Sequence, residues 1–342
     1  MKLPYEFYIA LRYLKAKKRH KTISLNTFIS IAGVSLGVAA LIATLGVMTG
    51  FKEDLRDKIL GTNAHLILQD SSGAGMTNYP EVVARVEKIP HVVSAAPFQY
   101  HEVMLVSPAR AAGAVLRGID PELEIRVTDL GKNLKNGDIR LLSQGVRIGD
   151  RVLPGIVLGQ ELARRLAVSP GETVSIVSPL GAESAGGMVP RFKRFALIGI
   201  FDSGMYEYDS SLAYISLPDS QSFFETGNQI SAIQIRVDNI FQARQIGRTI
   251  EATLGPSFWA RDWMEMNRNL FSALKLEKAV MFIILVLIVL VAAFNIIGTL
   301  TMIVMEKGRE ISILKAMGAT RRGIMKIFMI DGLIIGILGT AI

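Results

Sequence analysis

Glu306-Lys307-Gly308-Arg309-Glu310-Ile311-Ser312-Ile313-Leu314-Lys315-Ala316-Met317-Gly318-Ala319-Thr320 is the stretch from which the rest of the chain can be ordered. An uncharged apolar run precedes it and another apolar segment follows. Its charges gather at the start, in Glu306, Lys307, Arg309 and Glu310. Ile313, Leu314 and Met317 follow at i, i+1, i+4 spacing, which places them on one stripe of a helix. Gly318 can terminate that helix, and Arg321 and Arg322 stand before the next apolar run. The reading is a short amphipathic helix at the membrane surface between two spans, its stripe free to dock into a groove on a soluble partner. The plainer alternative is a solvated polar loop.

Composition sets the frame. Half of the 342 residues are hydrophobic, too many for an ordinary soluble enzyme and too few for an all-membrane bundle. There is no cysteine, which excludes disulfides and thiolate metal sites. The net charge of +8 sits beside the apolar runs. Lys2, Arg12, Lys15, Lys17, Lys18, Arg19 and Lys21 oppose only Glu6, and Lys307, Arg309, Lys315, Arg321, Arg322 and Lys326 oppose Glu306 and Glu310. That distribution is the positive-inside bias of a membrane protein and argues against nucleic acid as a partner.

Residues 1–21 read as a cytoplasmic interfacial helix, with Phe7, Leu11 and Leu14 on its apolar side, or as a basic flank that sets topology. Residues 22–51 carry no charge and form the first transmembrane helix. Gly33/Gly37 and Gly46/Gly50 are two GxxxG spacings that allow close helix packing. Residues 279–305 are a second uncharged span, residues 306–323 the surface helix, and residues 324–342 the start of a third span containing Asp331 and Gly332/Gly336. Lys52–Leu60 and Trp263–Lys278 are rich in helix formers, so both spans are expected to continue outward as stalks.

Between the spans, residues 52–278 hold a soluble α+β domain. Strand patterns occur at His65–Gln69, Val103–Ser107, Ala114–Arg117, Thr173–Val177, Phe195–Phe201, Ala213–Leu217 and Ala232–Val237. Helical patterns occur at Pro80–Ile89, Gly159–Leu166, Asp219–Glu225 and Phe241–Leu254. No βαβ unit repeats, so no doubly wound sheet is expected. Residues 178–190 read as a long, arm-like hairpin loop, stiffened by Pro179 and Pro190 and carrying Leu180, Met188 and Val189, with Arg191, Lys193 and Arg194 behind it. Exposed apolar residues on such a loop suit protein binding better than core formation.

The string EKGREISILKAMGA at 306–319 resembles the coupling segment of the MacB/FtsX-like ABC transporter permeases, and more of the chain is similar to the LolC/LolE branch. Gly155–Ala163 and Pro170–Val174 resemble that family's external domain. The resemblance implies a helical membrane protein of the bacterial inner membrane, with a large MacB-like periplasmic α+β domain inserted between transmembrane helices 1 and 2. It implies four spans, so the sequence is expected to stop within the third with the fourth missing. It implies a permease subunit that extracts lipoproteins and passes them to a periplasmic carrier, driven by ATP hydrolysis elsewhere. Glu306, Lys307, Arg309, Glu310, Ile313, Leu314, Met317 and Gly318 would then meet a LolD-like ATPase dimer, where ATP and Mg act. Pro179, Leu180, Met188, Val189, Pro190 and Lys193 would hold a LolA-like carrier. Val47, Met48, Phe51, Leu55 and Phe282 would face the lipoprotein acyl chains. A second permease copy or a LolC/LolE paralogue, and membrane lipid, complete the implied partners.

Catalytic signatures are missing from the sequence. There is no GxxxxGK[ST], no GxGxxG and no HExxH, and the GxSxG string at Gly33–Gly37 lies inside the first uncharged span rather than at a strand-to-helix elbow. His20, His65, His91 and His101 lack metal-ligand spacing. The expectation is a non-enzymatic subunit that binds no cofactor itself. MacB-like efflux and FtsX-like mechanotransmission are the rival jobs for the same architecture; a membrane-anchored sensor would need a cytoplasmic output domain that these short basic segments do not supply.

Overall fold

The computed structural model describes residues 5–15, 21–73, 75–184 and 187–342, with side chains of 13–15, 21–27, 30 and 179–189 left out of the description. The chain divides into two compact units, residues 1–52 with 269–342, and residues 53–268.

The first unit is helical: α1 (Tyr5–Lys15), α2 (Lys21–Thr62), which runs on past this unit, and, after the second unit, three more helices described below. The second unit is built on one ten-stranded sheet, with a separate two-stranded ribbon of Val146–Ile148 and Arg151–Leu153. Its elements in chain order are β1 (Leu66–Asp70), α3 (Tyr79–Val86), β2 (Val92–Val106), β3 (Ala111–Ile119), α4 (Pro121–Val127), β4 (Leu134–Asn136), β5 (Gly155–Gly159), α5 (Gln160–Leu166), β6 (Thr173–Ser184), β7 (Gly187–Phe201), β8 (Leu212–Ser216), α6 (Leu217–Phe224), β9 (Ala232–Val237), α7 (Ala243–Leu254) and β10 (Phe258–Asp262). The strand order is β10-β1-β9-β2-β3-β8-β5-β7-β4, with β6 pairing β2 and β7. Only β3/β8 and β5/β7 among these pairs are parallel; the rest are antiparallel, as expected for α+β rather than doubly wound architecture.

Alternation along the strands produces two cores. On one face Leu105, Leu116, Leu158, Ile176 and Phe195 pack beneath Leu162 and Leu166 of α5 and Phe223 of α6. On the other, Phe98, Ile119, Val157, Phe201, Leu212 and Tyr214 pack together. β5 is buried along its whole length. Gly159 at its end has no room for a side chain, since a Cβ there would lie 2.3 Å from the Asp209 carbonyl oxygen.

Three elements differ from the sequence reading. The helix expected over Trp263–Lys278 is broken: a short turn covers Trp263–Met266, and α8 begins at Arg268 and runs to Glu306. Trp263 is buried and its indole N–H donates to the Ile240 carbonyl at 2.9 Å. The Asn267 amide donates to the Trp263 carbonyl at 2.8 Å, the kind of local side-chain bond that competes with helix continuation. The strand at Val103–Ser107 is the far half of β2, which begins at Val92 and passes through Pro97. Residues 178–184 and 187–190, read as a long hairpin loop, belong to the ends of β6 and β7, paired as Ala182↔Val189, Glu183↔Met188 and Ser184↔Gly187.

In the first unit, α8, α9 (Gly308–Ala316) and α10 (Arg321–Ala341) complete the set. Three helices among the described residues are long and apolar enough to cross a membrane, spanning Ile31–Thr62, Arg268–Glu306 and Arg321–Ala341. The Gly33/Gly37 pair sits against α8, where a Cβ on Gly37 would lie 3.2 Å from Ile288 Cγ2. Gly332 faces Leu300 and Ile296, and Gly339 faces Val34 so closely that a Cβ would come within 2.8 Å. The small residues thus set helix separation, as bilayer packing requires. A Cβ added at Gly46, Gly50 or Gly336 would meet nothing within 4 Å among the described residues.

Candidate functional site

The α8–α10 corner is held by local chemistry. Lys307 at the junction is buried; its backbone N–H donates to the Ile303 carbonyl at 2.9 Å and its ammonium pairs with Glu310 at 2.6 Å. Gly318 adopts φ +92, a left-handed conformation costly for any other residue, and there the chain leaves α9. Thr320 caps α10, its hydroxyl accepting from the Gly323 N–H at 3.1 Å. Beneath the corner Ile303, Ile324 and Phe328 form a small core, against which Ile311 and Ala319 pack.

This core turns α9 in a definite sense. Ile311 is drawn in and Leu314 is half-buried, whereas Ile313 and Met317, one turn apart, are 52% and 71% exposed. The stripe read from the sequence is therefore split: Ile313 and Met317 point outward with Arg309 and Glu310 exposed nearby, while Lys307 is an internal brace. Two apolar side chains on an exposed, polar-flanked helical turn have the form of a helix-in-groove anchor.

Val47, Phe51 and Phe282 are exposed at 74%, 52% and 66%, and Met48 and Leu55 are half-buried. Lys52, next to Phe51, pairs with Glu277 at 3.1 Å, which ties α2 to α8 at that level. Asp331, in α10, is fully buried, and neither carboxylate oxygen has a hydrogen-bond partner among the described residues. In a bilayer such a group is costly, and the sequence had marked it only as an acidic residue near the start of a span.

In the second unit the β6/β7 hairpin carries the residues read as an arm. The side chains of Pro179, Leu180, Met188 and Val189 lie outside the described residues. The register shifts between Ser178 and Ala182, so three residues of β6 lie opposite Pro190 alone. Pro179 and Pro190 both lack the N–H that a regular ladder needs at that level, which accounts for the irregularity. Pro190 is exposed. The basic cluster behind it is largely engaged: Lys193 pairs with Asp219 at 2.9 Å, Arg191 pairs with Glu225, and Arg194 alone of the three is both exposed and outside these pairs. α6, which supplies Asp219, was legible in the sequence; its pairing with β7 was not.

Among the described residues no group of three or more His, Asp or Glu side chains is placed to hold a metal. His65 is buried, its ring bonded to the Val237 carbonyl, and burial lowers its pKa. His101 stacks on Phe224 at 3.6 Å, and burial lowers its pKa to about 4.

Comparison with known proteins supplies the rest. Residues 27–253 match the MacB-like periplasmic core domain, and residues 282–342 match the FtsX-like permease C-terminal family. The lipoprotein-releasing system transmembrane protein LolC of Neisseria meningitidis is 35% identical over 98% of this chain and 79% of its own. LolC of Xylella fastidiosa is 36% identical over the same shares, and LolE of Haemophilus influenzae is 25% identical over 98% of this chain and 80% of its own.

Proposed function

The chain belongs to the LolC/LolE family of lipoprotein-releasing permeases, with a MacB-like periplasmic core domain, and from that premise we propose how its parts divide the work. It is a permease subunit of a lipoprotein-releasing ABC transporter. In our reading it resides in the inner membrane, takes lipoproteins from that membrane and yields them to a LolA-like carrier. ATP and Mg act on a LolD-like ATPase dimer, and the transporter is completed by a second permease copy or a LolC/LolE paralogue.

The observation that supports the motor contact is the outward display of Ile313 and Met317 on α9, next to a core that fixes the helix from behind. An ATPase groove receives those side chains, with Arg309 and Glu310 at its rim; Lys307 and Gly318 serve by shaping the corner. The stroke passes along α2 and α8, unbroken over Lys21–Thr62 and Arg268–Glu306. Val47, Met48, Phe51, Leu55 and Phe282 offer apolar surface to acyl chains. The β6/β7 hairpin, Pro179 to Pro190, engages the carrier. The ion pair at Lys193 makes that residue a support for the hairpin's base, with Arg194 the freer cation. The residues that hold the helices and the sheet together serve packing, and catalysis belongs to the partner.

The absence of cysteine allows a direct test of this topology. Single variants Lys315→Cys and Arg165→Cys are to be labelled in intact cells with a membrane-impermeant maleimide. Arg165→Cys should label and Lys315→Cys should not, until the membrane is opened. The reverse pattern would invert the orientation and remove the reading.

A further inference from the structure

One face of the sheet in the second unit carries a cavity that none of the roles above uses. It encloses about 560 Å³, within the range of about 300–1,000 Å³ typical of small-molecule sites. Its floor is apolar, with Ile67 of β1, Phe98 of β2 and Val115 of β3. Two guanidiniums line it: Arg117 of β3 and Arg261 of β10. Register brings them to the same face. Arg261 lies opposite Ile67, Ile67 lies opposite Gln234, and Gln234 accepts a hydrogen bond from Arg117 at 3.2 Å.

Neither cation has a carboxylate within 4.0 Å among the described residues. Arg117 is 5% exposed, stacked on the Phe98 ring at 4.6 Å. Its nearest compensation is Glu124, reached only through Gln234, and burial pushes that carboxyl up toward its neutral form. Arg261 stacks on Trp259 at 5.1 Å and donates to Gln69 at 2.6 Å, yet its buried Nε–H has no acceptor among the described residues. Arg117 is thus a buried cation with no carboxylate beside it, and Arg261 a half-buried one with an unsatisfied N–H; both are costly unless an anion completes them. Guanidinium forks suit phosphate oxygens in particular.

We propose that this cavity binds a phosphate-bearing amphiphile, its phosphate held by Arg117 and Arg261 and its apolar portion laid against Ile67, Phe98 and Val115. The phosphate is carried either on a lipid or on a soluble ester; the recognition chemistry is the same for both.

Hexyl phosphate is the probe, offered by equilibrium dialysis to the full chain in phosphatidylcholine nanodiscs, with empty discs subtracted. Saturable uptake of about one equivalent is expected, with inorganic phosphate and 1-hexanol each at least tenfold weaker. Arg261→Met should weaken uptake about tenfold or more, the scale of a lost charged hydrogen bond, and Arg261→Lys, which keeps the charge but not the fork, should weaken it less than Arg261→Met does. Arg261 is the residue to change because it lies on the edge strand β10, whereas loss of buried Arg117 endangers folding. Phosphatidic acid in the discs separates the sources: loss of hexyl phosphate uptake assigns a lipid-borne phosphate, and undiminished uptake assigns a soluble ester. No uptake above empty discs, equal binding of inorganic phosphate, or full uptake by Arg261→Met would each overturn the proposal.

Discussion

Replacing both outward residues of α9, in Ile313→Glu/Met317→Glu, separates docking from folding. Complete burial of a large aliphatic side chain contributes about 1.5–3 kcal/mol. Ile313 and Met317 still expose 52% and 71% of their surface, so about 1–2 kcal/mol each remains to be gained against a partner. Together that is about 2–4 kcal/mol, or roughly 30- to 1,000-fold in Kd for the ATPase. The glutamates add a desolvation cost at any closed interface, so this is a lower range. Within the chain itself the cost is small, about 0.5 kcal/mol per exposed site. The assay is biolayer interferometry of the ATPase on the solubilised permease, with thermal unfolding measured beside it. A Kd within threefold of the parent, at unchanged Tm, would refute the assignment of this face. Ile311→Glu is the contrast, because it enters the Ile303–Ile324–Phe328 core and should lower Tm first.

Other outcomes follow from the same geometry. Deleting Leu180 to Val189 should abolish capture of the carrier in a pull-down while ATPase association persists; equal carrier recovery would remove the hairpin's role. Gly37→Leu should lower the Tm of the solubilised protein by driving a side chain into Ile288, whereas Gly46→Leu, with open space around it, should leave Tm nearly unchanged. The unfolded chain takes up a proton on His101 near pH 6.5 that the folded state refuses until about 4, so stability is full above that window and falls as pH drops through it, by at most about 3–4 kcal/mol. His101→Phe should flatten that acid limb in a pH series of unfolding curves, and an unchanged limb would show that the imidazole is not responsible.

The sequence carried the parts of the fold that depend on local patterning. The uncharged runs, the α9 amphipathicity and the strands at 173–177 and 232–237 are visible because burial imposes its period on neighbouring residues. What escaped depends on distant partners. The first half of β2 contains Ala95, Ala96 and Pro97, small or unsuited to strands by propensity, and is held by its pairing with β9. The break at Asn267 comes from Trp263 being fixed to Ile240. At the candidate site, the amphipathic stretch proposed to meet the ATPase was legible as one segment, but the division of its side chains into an outward pair and an inward brace was not. It follows from Ile311 packing on Ile324 and Phe328, residues of the next helix. The convergence of Arg117 and Arg261 on one cavity is a product of sheet order alone.

The most direct measurement is release of a radiolabelled lipoprotein from proteoliposomes holding this chain, its permease partner and the ATPase. With ATP, Mg and a LolA-like carrier outside, lipoprotein should move to the soluble fraction bound to the carrier, and Ile313→Glu/Met317→Glu should stop that movement. Lipoprotein that stays with the membrane under those conditions, or leaves it equally without ATP, would contradict the account.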